Sequence, residues 1–135
     1  MWYYKNKEFT ENEIGDYVAF VYIITNLLNN KKYIGKKRYF FKKTRQVKGK
    51  KIKYLEPSDW QIYWGSNIEL QEDVKQYGEH NFKREIIRLC KTHAESSYFE
   101  AKEQFATDCI LKEEFYNSWL SVRVRKSHLK GLTAE

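Results

Sequence analysis

Residues 17–36, with the sequence YVAFVYIITNLLNNKKYIGK, contain the longest apolar run of the chain and decide the fold. Residues 17–25 are rich in β-branched and aromatic side chains and are apolar at both alternating positions, which predicts a central strand covered on both faces. The asparagines within residues 26–30 predict a turn, because asparagine tolerates the backbone angles of tight turns. Residues 32–34 then predict the returning strand of a hairpin that ends at Gly35.

The rest of the chain adds two helices and a third strand. Residues 66–69 (SNIE) form a capping-box pattern that predicts a helix ending at Gly78, and residues 82–89 predict the third strand. Residues 92–95 (THAE) predict the start of a long helix, whose apolar stripe would comprise Ala94, Tyr98, Ala101, Phe105 and Cys109. This order predicts an α+β fold with a small three-stranded antiparallel sheet flanked by helices.

The length of 135 residues favours a single domain over residues 1–135. Within it we distinguish an N-terminal extension (1–16), a basic loop (36–57) and a basic C-terminal arm (121–135). Lysine and arginine number 25 against 18 acids, and ten of the eighteen residues from 36 to 53 are basic. Because no acid occurs between Asp16 and Glu56, the positive charge is concentrated, which indicates contact with nucleic acid.

Several classes of protein are disfavoured. The longest apolar run, residues 18–24, is far shorter than the roughly 20 residues of a membrane span, and no signal peptide precedes it. We therefore expect no membrane contact and a cytoplasmic location. The two cysteines, Cys90 and Cys109, form no CxxC motif, which excludes a zinc finger and favours reduced, buried thiols. Neither a phosphate-binding P-loop nor a GxSxG motif is present.

Two tyrosines stand out, each within a strand of the predicted hairpin. Residues 20–22 (FVY) and 33–35 (YIG) resemble the core motif of the GIY-YIG nuclease superfamily, with Phe20 and Val21 in place of Gly-Ile. Further segments are similar, in order and spacing, to its phage homing-endonuclease branch: 63–66 (YWGS), 77–78 (YG), 81–82 (NF), 85–87 (EII), 98–102 (YFEAK) and 116–117 (YN). The resemblance covers residues 18 to about 128.

This resemblance implies metal-dependent hydrolysis of DNA phosphodiester bonds, with Mg²⁺ or Mn²⁺ as the cofactor. Tyr22 and Tyr33 would activate or position the attacking water. Glu100 would be the catalytic carboxylate that holds the metal, and Asn117 the late structural or active-site asparagine. Glu103 is the alternative carboxylate, because both glutamates lie off the predicted apolar stripe; the family pattern favours Glu100.

The catalytic arginine of the family has no direct match. It normally follows the YIG motif by about eight residues, and that position here is Lys43. A lysine supplies charge but lacks the planar fork of a guanidinium. Arg45, two residues later, and Arg38, five residues earlier, are therefore alternatives to Lys43.

The expected partner is double-stranded DNA, and the sequence is compatible with a homodimer. The candidate DNA-contacting residues are Lys36, Lys37, Arg38, Lys48, Lys50, Lys51, Lys53, Ser66, Arg123 and Arg125. The leading hypothesis is a free-standing, phage homing-type endonuclease. Two alternatives stay open: a catalytically impaired nucleic-acid-binding module of the same fold, and a basic adaptor that contacts acidic proteins.

Overall fold

The computed structural model describes residues 1–120, 122 and 126–132. It contains seven strands and two α-helices in the described part of the chain: β1 (Trp2–Tyr4), β2 (Lys7–Phe9), β3 (Ala19–Asn26), β4 (Lys32–Arg38), β5 (Phe40–Val47), β6 (Lys50–Pro57), α1 (Ile68–Tyr77), β7 (Phe82–Cys90) and α2 (His93–Ala106). Short 3-10 helices lie at Glu11–Glu13, Trp60–Ile62, Glu79–Asn81, Cys109–Leu111 and Lys126–Leu129.

The main sheet has five strands in the order β2-β1-β7-β3-β4, with β1 parallel to β7 and the other neighbours antiparallel. The predicted α+β class and the antiparallel trio β7-β3-β4 are confirmed, but the predicted count of three strands is wrong. The N-terminal extension adds the two extra strands because its Trp2 is buried. The Trp2 ring packs against Phe20 at 5.0 Å, and its indole N–H donates to the Trp60 carbonyl at 2.7 Å.

Strand β3 is an inner strand of this sheet, between β7 and β4, as its two-sided apolar pattern predicts. Phe20 and Tyr22 face one core cluster, while Ala19 and Val21 face a second cluster beneath α2. Phe20, at the position where the resembled family usually has glycine, also packs 4.8 Å from the Tyr39 ring. The Phe20 side chain therefore fills space in a core that the N-terminal strands enlarge.

The basic segment is not the predicted loop. Residues 36–38 complete β4, and strands β5 and β6 pair with each other as a separate antiparallel hairpin, which we call the basic ribbon (residues 40–57). Lys48 and Gly49 have φ angles of 50° and 77°, as a two-residue primed turn requires. The ribbon forms because this turn joins two segments whose hydrogen-bonding register continues over eight residue pairs.

Both helices start close to their predicted caps. In α2 the Thr92 hydroxyl accepts the Glu95 N–H at 3.1 Å, as the capping-box pattern predicts. In α1 the cap is Asn67, whose side-chain oxygen accepts the Leu70 N–H at 2.9 Å, and not Ser66. The Ser66 hydroxyl is therefore free for another contact.

The buried face of α2 differs from the predicted stripe. Tyr98 and Phe105 are 37% and 57% exposed, whereas the residues that the helix buries are Ser96, Phe99, Ala101 and Gln104. Ser96, Glu100 and Gln104 recur every four residues and so share one helical face. Ala101 and Cys109 are buried as predicted, but the prediction is wrong for Tyr98 and Phe105. It followed apolar residues alone, whereas α2 turns this more polar face inward.

In the part of the chain that the structure describes, neither helix is sufficiently long and apolar to cross a membrane.

Candidate active site

The register of β3 and β4 brings the two motif tyrosines together. Tyr22 lies directly opposite Gly35, and Tyr33 lies two residues earlier on the same face, so that the ring centroids are 6.2 Å apart. A Cβ atom at Gly35 would lie 2.7 Å from the Tyr22 Cζ atom and 3.0 Å from a Tyr33 ring carbon. Glycine is therefore required at this position because the Tyr22 ring crosses over it.

Strand β4 is an edge strand of the main sheet, and Asn117 closes part of that edge. The Asn117 amide accepts the Ile34 N–H at 3.0 Å and donates to the Ile34 carbonyl at 2.8 Å. Gln104 donates to the same carbonyl at 3.2 Å. Side chains from α2 and from the segment after it thus replace a neighbouring strand, which satisfies buried backbone groups. Both ends of the Asn117 amide are used in this contact.

Glu100 meets the same edge two residues further along, at Lys36. Burial raises the pKa of the Glu100 carboxyl, while the charge of Lys36 and a hydrogen bond from the Lys36 backbone act in the opposite direction. The Lys36 ammonium donates to the Ser97 hydroxyl at 2.5 Å, one turn of α2 before Glu100. A carboxylate and an ammonium group therefore lie side by side at the sheet edge.

A cavity of about 240 Å³ opens over this edge. The residues that line it are Tyr22, Tyr33, Lys36, Ser66, Asn67, Glu100, Gln104, Asn117, Ser118 and Trp119. Four of the predicted catalytic residues are among them, together with two of the predicted DNA contacts, Lys36 and Ser66. Glu103 is not among the described residues lining the cavity, so of the two alternative carboxylates Glu100 is the one that reaches it.

The two tyrosine hydroxyls are held in different ways. Tyr22 is only 1% exposed, and burial raises its pKa well above the ordinary value. Burial also raises the pKa of Tyr33, although the hydrogen bond with Ser66, at 2.9 Å between the two hydroxyl oxygens, opposes this effect. Both hydroxyls therefore retain their protons at neutral pH and can act as hydrogen-bond donors.

The candidates for the catalytic arginine do not enter the cavity. Lys43 and Arg45 lie on the basic ribbon, where Lys43 is 3.9 Å from a Glu56 carboxylate oxygen and Arg45 lies 5.6 Å from the centroid of the Tyr54 ring. Arg38 lines an adjoining depression of about 260 Å³, which it shares with Lys36, Lys37, Phe41, His93, Ser96 and Ser97. Among the described residues, the basic side chain that lines the cavity itself is Lys36.

The remaining predicted DNA contacts fall into three groups. Lys48, Lys50, Lys51 and Lys53 are exposed on the ribbon. Lys37 is engaged within the protein, because its ammonium pairs with Asp59 at 2.6 Å and lies 4.0 Å from the Tyr63 ring centroid. Arg123 and Arg125 lie outside the described residues, as does much of the predicted C-terminal arm.

Sequence reasoning missed four residues of the cavity. Asn67 was considered only as part of a capping box, and Gln104, Ser118 and Trp119 have no motif of their own. Trp119 is 67% exposed and lies at the rim. Gln104 could have been found from its spacing, since it follows Glu100 by one helical turn. Lys36, predicted as a DNA contact and not as a catalytic residue, directly follows the YIG motif.

A metal site here would depend on one carboxylate. No group of three or more histidine, cysteine, aspartate or glutamate side chains comes together among the described residues. Glu100 is the acidic residue among those lining the cavity, beside the hydroxyl groups of Tyr33 and Ser66. Mg²⁺ is commonly bound through one or two carboxylates while it keeps several waters, so this donor set fits such an ion.

The hairpin that carries Tyr22 and Tyr33, with Glu100 of α2 beside its edge strand, is the arrangement that the resemblance to the GIY-YIG superfamily implied. A family model described as "Putative endonuclease segE, GIY-YIG domain" matches residues 2–120. The chain therefore belongs to the GIY-YIG family, in the group that this SegE domain represents.

Two curated relatives come from Enterobacteria phage T4. The protein named "Putative endonuclease segE" is 35% identical over 98 residues, which cover 73% of this chain and 39% of that protein. The protein named "Putative endonuclease segD" is 29% identical over 106 residues, covering 76% of this chain and 38% of that protein. The chain thus spans about two fifths of the length of the relatives it matches. No solved structure gives a significant match.

Proposed function

We propose that this chain is an endonuclease that hydrolyses phosphodiester bonds of double-stranded DNA with the help of Mg²⁺ or Mn²⁺. The observation that carries the proposal is the convergence of Tyr22, Tyr33, Lys36 and Glu100 on one cavity in a chain of the GIY-YIG family. The names of the two phage relatives support the same activity.

Each of these residues has a role that suits the reaction. Glu100 would hold the metal, which when bound supplies Lewis acidity and a polarised water for phosphodiester hydrolysis. The Tyr33 hydroxyl, held by Ser66, orients the attacking water, and the buried Tyr22 supports the Tyr33 ring. The Lys36 ammonium stabilises the negative charge that grows on the phosphate. Asn117 positions the edge strand that carries Lys36.

The first experiment measures nicking and linearisation of a supercoiled plasmid with Mg²⁺, with Mn²⁺ and with EDTA. We expect cleavage only with a metal. Glu100→Gln should lower the rate by about 100-fold or more, the scale on which the loss of one positioned transition-state group is felt. Duplex affinity measured in EDTA should stay within a few-fold.

Glu103→Gln is the matched control, because Glu103 lies on the same helix but does not line the cavity. It should cleave at the wild-type rate. An inactive Glu103→Gln beside an active Glu100→Gln would overturn the assignment. If the wild-type protein binds DNA but cleaves nothing with either metal, the catalytically impaired binding module becomes the correct description.

The role of the catalytic arginine is open to a direct test on three residues. We propose that Lys36 supplies the cation inside the cavity and that Arg38, Arg45 or Lys43 meets the phosphate from outside it. Arg45→Lys keeps the charge but loses the planar fork, so a rate loss of about 10²–10³ would assign Arg45 to the reacting phosphate. Faster cleavage by Lys43→Arg would assign Lys43 instead, and a loss in Arg38→Lys alone would assign Arg38.

The proposal extends to where the chain acts and to its oligomeric state. On the resemblance of its sequence to the phage homing-endonuclease branch, we propose that the chain acts as a free-standing homing-type endonuclease in the cytoplasm of a host cell. A homodimer would let two cavities cut opposite strands, so the ratio of nicked to linear plasmid, measured against protein concentration, tests that arrangement. A nicked product at all concentrations would contradict the dimer.

A further inference from the structure

Beyond its base, where Phe40 packs against the core, the basic ribbon has both faces exposed to solvent. Every residue from 42 to 57 is exposed, including Ile52 and Leu55, whose exposed fractions are 42% and 62%. A two-stranded hairpin that packs on nothing is marginally stable in water. Seven of the twelve residues from 42 to 53 are lysine or arginine, and none is acidic. A surface of this charge is complementary to a polyanion.

Cross-strand pairing separates the side chains of the ribbon into two chemically different faces. Thr44 pairs with Lys53 and Gln46 pairs with Lys51, so these side chains share one face with Lys42. We call this set the polar face: Lys42, Thr44, Gln46, Lys51 and Lys53. Leu55, opposite Lys42, lies at its base. The opposite face carries Lys43, Arg45, Val47, Lys50, Ile52 and Tyr54, where each cation pairs across the strands with an apolar residue.

The two faces also differ in how their polar groups are used. On the opposite face, Arg45 stacks near the Tyr54 ring and Lys43 approaches Glu56. On the polar face, no side chain makes a hydrogen bond or ion pair with any other residue that the structure describes. The hydrogen-bonding groups of the polar face are therefore available to a partner.

The polar face is electrostatically continuous with the candidate active site. Lys36 lines both the cavity and the adjoining depression, in which Arg38 and His93 also lie. Lys42 is close enough for its charge to act on His93, so it extends this line of cations onto the ribbon. A polyanion bound in the cavity would follow the same line to the polar face.

The dimensions of the ribbon select one groove of duplex DNA. Eight residues per strand at about 3.3 Å each give a length of about 26 Å, or about 8 base pairs at 3.4 Å. The major groove, about 12 Å wide, admits a two-stranded ribbon, whereas the minor groove, about 6 Å wide, does not.

We propose that the basic ribbon lies in the major groove of the DNA duplex and that its polar face reads base pairs there, an inference that rests on the proposed function. Gln46 carries the amide that pairs with adenine, and the lysines carry donors for the guanine N7 and O6 atoms. The Thr44 methyl group suits the methyl group of thymine. The domain thereby has a sequence preference of its own beside its cleavage site.

The test is a binding selection by the full chain in EDTA, from a pool of duplexes with random sequence. We expect the wild-type protein to select a preferred site. Gln46→Ala should lose selection at one position and bind the preferred duplex about 5-fold or more weakly. Val47→Ala, one residue away on the opposite face, is the matched control and should keep the wild-type preference.

Modified bases identify the groove. Replacing guanine by 7-deazaguanine in the selected site removes a major-groove acceptor, and we expect it to weaken binding about 5-fold or more. Replacing guanine by inosine removes only the minor-groove amino group and should change little. The reverse result would overturn the proposal.

Other outcomes would also show that the ribbon does not read base pairs of a DNA duplex. A wild-type protein that selects no sequence, or a Gln46→Ala variant that keeps the full preference, overturns base reading and leaves phosphate contact alone. Tighter binding to single-stranded nucleic acid or to an acidic protein than to a duplex overturns the duplex itself. Because binding is measured without metal, a failure of cleavage would refute the proposed function but not this inference.

Discussion

Replacing Asn117 tests whether its role is to hold the edge of the sheet. In Asn117→Ala the Ile34 N–H loses its partner at 3.0 Å, and the Ile34 carbonyl loses one of its two donors. Ile34 is fully buried, so water cannot replace the lost acceptor. An orphaned buried donor costs about 1–3 kcal/mol and a lost hydrogen bond about 0.5–1.5 kcal/mol. We therefore expect a loss of about 2–4 kcal/mol in unfolding free energy.

The measurement is urea unfolding at pH 7, with the midpoint and the slope fitted separately. Ser118→Ala, at the exposed neighbouring residue that also lines the cavity, is the control and should leave the midpoint unchanged. Gln104→Ala alone should cost little, because Asn117 still donates to the Ile34 carbonyl. The double variant leaves that carbonyl without either donor, so its loss should exceed the sum of the single losses by about 1 kcal/mol.

Two results would refute this reasoning. One is an Asn117→Ala variant within about 0.5 kcal/mol of the wild-type protein, the usual range for surface substitutions. The other is strict additivity in the double variant, since it would mean that the two amides do not share the carbonyl. A large loss of cleavage with no loss of stability would instead place Asn117 in contact with the substrate.

Three further predictions concern buried and half-buried groups. Tyr39 is fully buried and its hydroxyl has no hydrogen-bond partner among the described residues. Tyr39→Phe should therefore raise the free energy of unfolding by about 1 kcal/mol and shift the urea midpoint upward. A lower midpoint would contradict this. Cys90 and Cys109 are both buried. Burial raises the pKa of Cys90 to about 12 and also raises the pKa of Cys109. Neither thiol should therefore react with a disulfide reagent at pH 8 until urea unfolds the chain. Burial, and then nearby cations that include Lys42, lower the pKa of His93, so the unfolded chain binds this proton more readily and stability should fall as the pH drops below about 6.5. An NMR titration should place the pKa of His93 below that value and show it rising in Lys42→Gln.

Much of the site can be predicted from local sequence. The apolar run of β3, the asparagine-rich turn and the YIG motif specify a tight hairpin, because each depends on neighbours within a few residues. The cap of α2 at Thr92 follows from its own capping box in the same way. These features place the two motif tyrosines on neighbouring strands through local contacts alone.

The tertiary structure decided the features that depend on distant partners. The N-terminal strands join the sheet because Trp2 packs against Phe20, which lies 18 residues later in the chain. The orientation of α2 is the clearest case. Its apolar spacing favoured a stripe through Tyr98 and Phe105, but the helix turns Ser96, Glu100 and Gln104 inward.

The physical reason for that orientation is the open edge of β4. Lys32 pairs with the backbone of residues 114–116, but beyond it β4 has no neighbouring strand on this side. Its backbone N–H and C=O groups there are costly to bury without partners. Gln104 and Asn117 satisfy Ile34, and Glu100 meets the Lys36 backbone. Hydrophobic periodicity carries no information about such needs. The sequence alone therefore determined the hairpin and its tyrosines, while the unpaired edge of the folded sheet decided which glutamate and which lysine stand beside them.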